Sequence, residues 1–303
     1  MVRIFFYMQT SIELLKPNHN SEFYELLDCG GFEKLERFGE FIPIRPEPQA
    51  IWDKRWSEQE WKKLAHVKFV GTGSNSGKWE KFKKMPDNWT ATYKGQGFNL
   101  TFNLALTGFK HVGVFPEQSA NWDFIYKNLK NSPVQNPAFL NLFAYTGGAS
   151  LAAKAAGADT THVDSIKQVV SWARRNMESS KLDNIRWVVE DAVKFTKREV
   201  KRGKKYQGII LDPPAFGHGP NGESWKLEKQ INELLKDVIE ILDPENGFLI
   251  LNTYSLGFSA LIVENMIRAI IAKKKHNWNP SFGELYMESK SGVNLPLGVY
   301  CRM

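Results

Sequence analysis

Four stretches of this chain place a glycine turn or a carboxylate directly after a short apolar run. They end on Y-T-G-G at residues 145–148, on Asp164, on Glu190-Asp191 and on Asp212-Pro213-Pro214. An apolar run followed by a helical pattern is typical of a parallel strand, and the carboxyl ends of parallel strands meet at one edge of a sheet. Glycines there let the backbone approach a ligand, and carboxylates accept hydrogen bonds from hydroxyl or amine groups.

Residues 138–164 contain the first two of these ends and read as strand, turn, helix and strand. Gly147 and Asp164 lie 17 residues apart, close to the offset of about 20 residues expected for a ribose-binding acid. The dinucleotide spacing G-x-G-x-x-G is absent, so the segment favours a ligand with a ribose but no phosphates over a dehydrogenase cofactor. For each acid alone, a helix N-cap is an ordinary alternative, because Asp164 and Asp191 both precede predicted helices.

After Pro116 the pattern alternates between helices and strands. A helix over 119–130 with Ser119 as its cap is followed by strand 139–143, helix 149–156, strand 160–163, helix 166–179, strand 185–189, helix 192–201, strand 207–211, helix 225–241, strand 247–254 and helix 258–273. This alternation predicts an α/β fold, a Rossmann-like parallel sheet with helices on both faces. Two last strand-like runs, 282–288 and 298–301, predict an antiparallel hairpin at a sheet edge.

The part of the chain before Phe115 has a different pattern, with short β-like runs separated by turn residues. The runs are 41–44, 67–70, 89–93, 98–102 and 112–115. They predict a small β-rich module, which gives domains 1–115 and 116–303. Residues 71–78 look like a phosphate-binding loop, but five residues separate Gly71 from Gly77 and Trp79 stands where Ser or Thr should bind magnesium, so we interpret them as a hairpin tip.

Composition limits the classes of protein. Cys29 and Cys301 are the two cysteines among 303 residues, and they supply neither a disulfide framework nor a metal cluster. No apolar run approaches the length of a membrane span, and the patch at residues 1–8 lacks a signal-peptide cleavage site. We therefore expect a cytoplasmic protein, with no metal and no membrane partner.

The net charge of +7 suits an anionic partner. Basic residues concentrate at 197–205 and at 78–84, and five of the ten tryptophans lie between Trp52 and Trp89 among lysines. Such a pattern is compatible with an RNA-contacting surface, where bases stack on aromatic rings, and equally with the core of a small domain that has a solvated charged face.

Taken in order, the motifs resemble those of class I S-adenosylmethionine-dependent methyltransferases. These motifs are N-L-F-A-Y-T-G-G at 141–148, H-V-D-S at 162–165, E-D-A at 190–192 and L-D-P-P-A-F-G at 211–217. The segment G-V-F-P-E-Q at 113–118 is similar to a signature of the group that methylates large-subunit (23S) ribosomal RNA. The resemblance covers residues 110–303 and implies S-adenosylmethionine as cofactor, with a seven-stranded sheet whose last strand, 299–302, is antiparallel.

The resemblance also implies roles for individual residues. The glycine turn should hold the methionine end of the cofactor, Asp164 the two ribose hydroxyls, and Asp191 the adenine amino group. Gln118 should close the pocket. The implied cofactor-binding set is Gln118, Asn141, Phe143, Ala144, Tyr145, Thr146, Gly147, Gly148, Asp164, Ser165, Asp191, Ala192 and Asp212, and the implied catalytic set, which faces the methyl group and substrate, is Asp212, Pro213, Pro214 and Phe216.

The residues that follow the fourth and fifth predicted strands after Pro116, 207–211 and 247–254, indicate which kind of substrate atom is methylated. Methylation of cytosine at carbon 5, known in this group, needs a cysteine nucleophile there, whereas these ends read D-P-P at 212–214 and N-T-Y-S at 252–255. Cys301 should be buried and inert. We therefore expect attack by a nitrogen or oxygen of the substrate, with Asp212 and the Pro213 carbonyl accepting from an exocyclic amine. Ala215 occupies the usual aromatic position, which leaves Phe216 to stack on a base.

Three functions are compatible with these residues. The leading hypothesis is a methyltransferase that modifies a base nitrogen in ribosomal RNA without covalent cysteine catalysis. The alternatives are a methyltransferase acting on protein or a small molecule, and a non-catalytic RNA-binding protein with this fold.

Overall fold

The structure is a computed structural model that describes residues 11–18, 20–73, 76–255, 257–274 and 278–303. The apolar patch at residues 1–8 therefore lies outside the described residues. The elements in chain order are β1 (Ile12–Leu15), β2 (Tyr24–Gly30), β3 (Glu33–Phe38), β4 (Pro43–Pro46), α1 (Glu58–Leu64), β5 (Val67–Gly71), β6 (Gly77–Lys81), β7 (Asn88–Lys94), β8 (Asn99–Ala105), a 3₁₀ turn (Pro116–Gln118), α2 (Ser119–Lys130), β9 (Ala138–Leu142), α3 (Gly148–Ala155), β10 (Asp159–Asp164), α4 (Lys167–Ser179), β11 (Arg186–Val189), α5 (Ala192–Arg202), β12 (Gly208–Leu211), β13 (Phe216–His218), β14 (Ser224–Lys226), α6 (Leu227–Ile241), β15 (Phe248–Thr253), α7 (Ala260–Ile271), β16 (Ser281–Glu288) and β17 (Asn294–Arg302).

One large sheet organises the C-terminal part of the chain. Its strand order is β1-β16-β17-β15-β12-β9-β10-β11. Only β17 is antiparallel to its neighbours, and every other described pair is parallel. The predicted doubly wound α/β fold with an antiparallel last strand is confirmed.

The sheet has an eighth strand that the resemblance did not imply. β1 pairs in parallel with β16, with Glu13 beside Gly283. A Cβ atom on Gly283 would lie 1.9 Å from the Glu13 carbonyl oxygen, so a glycine is what allows the two backbones to meet. The N-terminal part of the chain thereby supplies an edge strand to the large sheet.

Helices cover both faces of this sheet because its central strands are apolar on both sides. All five residues of β9 are buried; Phe139 packs in the cluster that contains α2, α3 and the N-terminal strands. Leu140 and Leu142 pack in the opposite cluster, with α5, α6 and α7. The central strands are thus fixed from two sides, and their carboxyl ends are left at one edge.

The N-terminal strands form a five-stranded sheet, β2-β3-β4-β5-β6, and the hairpin β7-β8. Residues 71–77 join the antiparallel strands β5 and β6, as the hairpin-tip interpretation expects, although residues 74 and 75 lie outside the described residues. The tryptophans of this part are held inward: Trp61 and Trp89 are buried, and the indoles of Trp52 and Trp79 donate to carbonyls at 2.9 and 2.6 Å. These contacts favour the core explanation for the tryptophan cluster.

Residues 112–115 do not form the strand that was predicted. Val112 and Val114 are buried, but Gly113 has φ of 109°, outside the range of a β-strand. Its carbonyl accepts a hydrogen bond of 2.6 Å from the Thr146 hydroxyl. The segment is a buried connector that ties the two parts of the chain together.

Two further local predictions were wrong. Ser119 is the first residue of α2 and not its cap, because Gln118 holds the cap position and the Ser119 hydroxyl donates instead to the Pro116 carbonyl at 2.7 Å. The helix predicted over 225–241 begins at Leu227, since residues 216–226 form the short hairpin β13-β14. A strand of three residues is too short to show the alternation of apolar and polar residues by which a strand is predicted from sequence.

No helix within the described ranges is both long and apolar enough to cross a membrane. Those same ranges contain no group of three or more His, Cys, Asp or Glu side chains that could hold a metal ion.

The connector yields a stability prediction. Gly113→Ala should lower the free energy of unfolding by about 2–4 kcal/mol, because the side chain would have a strained positive φ and be forced into a packed ring. The added Cβ would lie 2.3 Å from the Trp172 ring. Urea denaturation followed by circular dichroism measures the change. Gly108→Ala is the control, since its Cβ would meet nothing within 4 Å; equal stability of the two variants would contradict the argument.

Candidate active site at the sheet edge

The predicted convergence of strand ends is present. β9 is the central strand, and its Leu142 lies beside Val163 of β10 and Leu211 of β12. The residues that follow these three positions therefore leave the sheet side by side at the same edge. They include the glycine turn, Asp164 and Asp212.

The turn after β9 has an unusual backbone. Phe143, Tyr145 and Gly147 have φ of 56°, 48° and 91°, and the left-handed region costs free energy for residues other than glycine. Hydrogen bonds hold it: the Ala144 N–H donates to the Val163 carbonyl at 3.1 Å, and the Gly147 N–H donates to the Ala144 carbonyl at 3.0 Å. Such strain, maintained by surrounding contacts, is characteristic of ligand sites.

Asp164 is fixed by this turn and by the start of α4. One carboxylate oxygen accepts from the Tyr145 N–H at 2.9 Å and the other from the Ile166 N–H at 2.9 Å. Burial raises the pKa of Asp164, and the backbone hydrogen bonds counteract part of that rise. Each oxygen accepts one backbone hydrogen bond and has a second lone pair, so the carboxylate can also bind a pair of ligand hydroxyls.

Asp191 is a helix N-cap, which was the ordinary alternative to a ligand-binding role in the sequence. It is the N-cap of α5, and its side chain accepts from the Lys194 N–H at 2.9 Å. The neighbouring Glu190 is paired with Arg198, with an Nη2 to Oε2 distance of 2.7 Å. A structural function therefore accounts for the observed contacts of Asp191.

A cleft with a volume of ≈ 40 Å³ opens beside the turn and Asp212. Of the residues implied for the site, its lining contains Gln118, Asn141, Phe143, Ala144, Tyr145, Thr146, Gly147, Gly148 and Asp212. Asp164, Ser165, Asp191 and Ala192 do not line it, nor do Pro213, Pro214 and Phe216. Phe102 and Trp122 also line the cleft; nothing in the sequence signals this, because their spacing is that of ordinary core residues.

The Asp212 carboxylate lies at the end of β12 in a region of low polarity. Burial, together with the nearby negative charge of Glu117, raises the pKa of Asp212 to about 7. The Gln118 side-chain amide donates to one of its oxygens at 3.1 Å. A carboxyl group with this pKa exchanges protons near neutral pH, which is a property of acid–base groups in active sites.

The segment after Asp212 folds back as the β13-β14 hairpin. The Trp225 indole donates to the Pro214 carbonyl at 2.7 Å, which anchors the hairpin to the D-P-P segment. The Phe216 ring is 68% exposed and is therefore accessible to a flat ligand.

The N-terminal sheet also contacts the segment that follows β15. The Tyr254 hydroxyl, just beyond the end of β15, donates to the Glu47 carboxylate, which follows β4 and also pairs with Lys34 at 3.1 Å. Sequence reasoning missed Glu47, because no local pattern signals a contact between residues so far apart in the chain.

Both cysteines are buried. Burial raises the pKa of Cys29 and of Cys301 to about 12, so neither is a thiolate at neutral pH. The expectation that Cys301 is inert agrees with this.

Comparison with known proteins identifies the family. Residues 118–255 match the family described as Conserved hypothetical protein 95. The crystal structure of a SAM-dependent methyltransferase from Agrobacterium tumefaciens is 33% identical, superposes with a TM-score of 0.88, and the alignment covers 96% of this chain and 92% of that one. The chain belongs to the S-adenosylmethionine-dependent methyltransferases.

Two other relatives of this methyltransferase match only in part. Ribosomal RNA large subunit methyltransferase K/L of Shewanella frigidimarina is 31% identical over 165 residues, which are 53% of this chain and 22% of that protein. Ribosomal RNA large subunit methyltransferase I of Escherichia coli O139:H28 is 33% identical over 144 residues, 46% of this chain and 34% of that protein. The matches thus span between about a fifth and a third of these relatives' lengths.

The residues of the methyltransferase fit S-adenosylmethionine. Asp164 is a carboxylate with acceptor capacity left for ligand hydroxyl groups, and the nearby carboxyl groups of Asp212 and Glu117, whose pKa values burial raises to about 7, can offset the positive charge of a sulfonium group when ionised. The buried amide of Asn252 and hydroxyl of Thr253, at the end of β15, have no hydrogen-bond partner in the described part of the chain. The cleft, at ≈ 40 Å³, is smaller than a nucleoside, so the cofactor would also occupy space outside it.

The N-cap role of Asp191 is testable by stability. Asp191→Ala should reduce the free energy of unfolding by about 1 kcal/mol, because the Lys194 N–H loses its acceptor, whereas Asp191→Ser should change it by no more than a few tenths. Thermal or urea unfolding of both variants measures this. If the alanine variant is as stable as the wild type, the cap contributes nothing and Asp191 is free for another role.

Proposed function

We propose that this chain transfers a methyl group from S-adenosylmethionine to a nitrogen of a base in ribosomal RNA, without a covalent cysteine step. The observation that carries the proposal is the Asp212 carboxylate, which lines the cleft with a pKa near neutrality and has no thiol beside it. An amine needs an acceptor for its hydrogen bonds and its proton, whereas addition to a pyrimidine ring needs a thiolate.

The cofactor would be held by the strand ends. The left-handed turn, residues 143–148, would contact its methionine end, and Asp164 would accept hydrogen bonds from both ribose hydroxyls. Asp191 would contact the adenine while it caps α5, and Ala192 and Ser165 would line that end of the site. When bound, S-adenosylmethionine supplies an electrophilic methyl group attached to a positively charged sulfur.

On the substrate side, the residues would orient an amine and remove its proton. Asp212 and the Pro213 carbonyl would accept hydrogen bonds from an exocyclic amino group, which directs the nitrogen lone pair toward the methyl group. Methyl transfer would leave the nitrogen cationic and the cofactor sulfur neutral, and the ionised Asp212 would take up the proton that the nitrogen then releases. Phe216, exposed after Pro214, would stack on the base.

RNA as the substrate is supported by the names of the partial relatives and by the net charge of +7. The basic cluster at 197–205 is partly neutralised, since Arg198 pairs with Glu190 and Arg202 with Glu199. In the cluster at 78–84, Lys81 pairs with Asp87. Phosphate contacts would therefore come from the other lysines of these clusters, such as Lys197 and Lys201. A cytoplasmic location, where ribosomes assemble, is part of the same proposal.

The two alternative functions make different predictions. A methyltransferase for protein or a small molecule would use the same cofactor residues but would not modify RNA. A non-catalytic RNA-binding protein would bind RNA and leave it unmodified; the acid–base character of Asp212 argues against this alternative.

Asp164 gives a test of cofactor binding. Asp164→Asn should weaken binding of S-adenosylmethionine about 10–100-fold, because hydrogen bonds to a charged acceptor are lost and replaced by weaker neutral ones. Isothermal titration calorimetry measures the dissociation constant. The control is Asp159→Asn, an exposed position at the opposite end of the same strand. Equal affinity of the Asp164 variant and the wild type would remove Asp164 from the cofactor site.

Asp212 gives a test of the reaction. Mass spectrometry of ribosomal RNA nucleosides from cells with and without the gene should show one N-methylated nucleoside that is lost on deletion and restored by the wild-type gene. Asp212→Asn should restore it poorly and lower the methylation rate in vitro about 100-fold or more, because an amide cannot take the proton. An unchanged nucleoside profile on deletion would contradict RNA methylation, and full activity of the variant would contradict the role of Asp212.

A further inference from the structure

A chain of hydrogen bonds links the last strand of the sheet to Asp212. The Arg302 guanidinium, at the end of β17, donates to the Asn121 side-chain oxygen at 2.7 Å from Nη2 and 3.2 Å from Nε. The Asn121 amide nitrogen donates to the Gln118 side-chain oxygen at 2.8 Å, and the Gln118 amide nitrogen donates to Asp212 at 3.1 Å. Asn121 is fully buried. We call Arg302, Asn121 and Gln118 the amide relay.

Arg302 fixes the direction of the hydrogen bonds along the amide relay. An arginine side chain has donors and no acceptor, whereas an amide side chain can be turned either way. Arg302 therefore requires the Asn121 oxygen to face it, which leaves the Asn121 nitrogen facing Gln118. Gln118 must then present its oxygen to Asn121 and its nitrogen to Asp212.

Arg302 itself is held in place. Its guanidinium also donates to the Ala120 carbonyl at 3.0 Å and lies over the Phe124 ring, 4.6 Å from the ring centroid. Burial lowers the pKa of Arg302 to about 10, so the side chain is charged at neutral pH and acts as a donor throughout the relevant range.

We propose that Arg302 is a positioning residue that orients the amide relay so that Gln118 always donates to Asp212 and stabilises its ionised form. The inference rests on the proposed function, in which the ionised Asp212 carboxylate accepts the substrate proton. The relay opposes the two influences that favour protonation of Asp212, which are burial and the carboxyl group of Glu117 in the 3₁₀ turn. Burial raises the pKa of Glu117 to about 7 as well, so its influence on Asp212 grows as Glu117 ionises. Just beyond the end of β15, the Tyr254 hydroxyl is bonded to Glu47, and burial raises its pKa, so it carries no charge at physiological pH.

Asn121→Asp is the sharpest test, because it keeps the size of the side chain and reverses the relay. A carboxylate at position 121 still accepts from Arg302 but can only accept from Gln118, so the Gln118 amide turns and its oxygen faces Asp212. Two acceptors then face each other unless Asp212 is protonated. We expect the pKa of Asp212 to rise by about one to two pH units, since a hydrogen bond to a charged group is lost. Arg302→Met should raise the pKa of Asp212 less, because the two amide side chains can then turn either way. In Arg302→Lys, which keeps a cationic donor at this position, the pKa of Asp212 should stay close to the wild-type value.

The pKa is measured without any enzymatic turnover. Carbon-13 NMR of the side-chain carboxyl groups, in protein labelled at the aspartates, follows the titration, and the Asp212→Asn spectrum assigns the signal. Asn128→Asp is the matched control, an equal charge change on the same helix, at a residue whose amide donates to the Phe124 carbonyl and is not part of the relay. Thermal unfolding checks that each variant is folded.

The outcomes separate the relay from the proposed function. A raised pKa of Asp212 in Asn121→Asp and in Arg302→Met, with Asn128→Asp unchanged, supports the relay even if no methyl transfer to RNA is found. An unchanged pKa in both relay variants, or a rise as large in Asn128→Asp, overturns it even if the enzyme methylates RNA. Where transfer is observed, the lower limb of its pH–rate profile should move to higher pH by the same amount as the pKa.

Discussion

The hydrogen bond from the Tyr145 N–H to the Asp164 carboxylate is the contact on which the arrangement of the site depends. It joins the turn after β9 to the end of β10 at 2.9 Å, and it is possible only because Tyr145 has a left-handed backbone conformation. The packing of the turn opposes other conformations, since a Cβ on Gly148 would lie 2.6 Å from the Trp122 ring. The left-handed conformation of the turn is thus held by a hydrogen bond to Asp164 on one side and by close packing against α2 on the other.

The N-terminal part of the chain is integrated with that edge. The Gly113 carbonyl accepts from Thr146 within the turn, and Thr146 in turn accepts through its own carbonyl from Asn176 of α4 at 3.0 Å. The Glu47–Tyr254 hydrogen bond makes a second connection, just beyond the end of β15. The module therefore forms part of the wall of the site, and its tryptophans, held inward, give it the core that such a small sheet needs.

Sequence reasoning succeeded where a local pattern determined the structure. The alternation of strands and helices after Pro116 follows from short apolar runs and amphipathic helices, so β9 to β12 and their helices were found within one or two residues. Residues 112–115 have the composition of a strand, but Gly113 packs against Trp172 and adopts a positive φ, a tertiary constraint with no local signal. The relay was invisible for the same reason, since Asn121 and Arg302 are 181 residues apart in the chain.

The two carboxylates of the site differ in their surroundings, and this difference is what allows one edge to perform two tasks. Asp164 receives two backbone N–H donors, which favour the ionised form and counteract part of the rise in its pKa that burial causes. Asp212 receives one neutral amide donor and lies near Glu117, and the pKa near 7 leaves it able to take up and release a proton. Environments that separate the behaviour of two acids in this way support the proposed roles, in which Asp164 binds hydroxyl groups and Asp212 takes up the proton. The assignment needs no difference in residue type, because the number and direction of the hydrogen-bond donors around each carboxylate are sufficient.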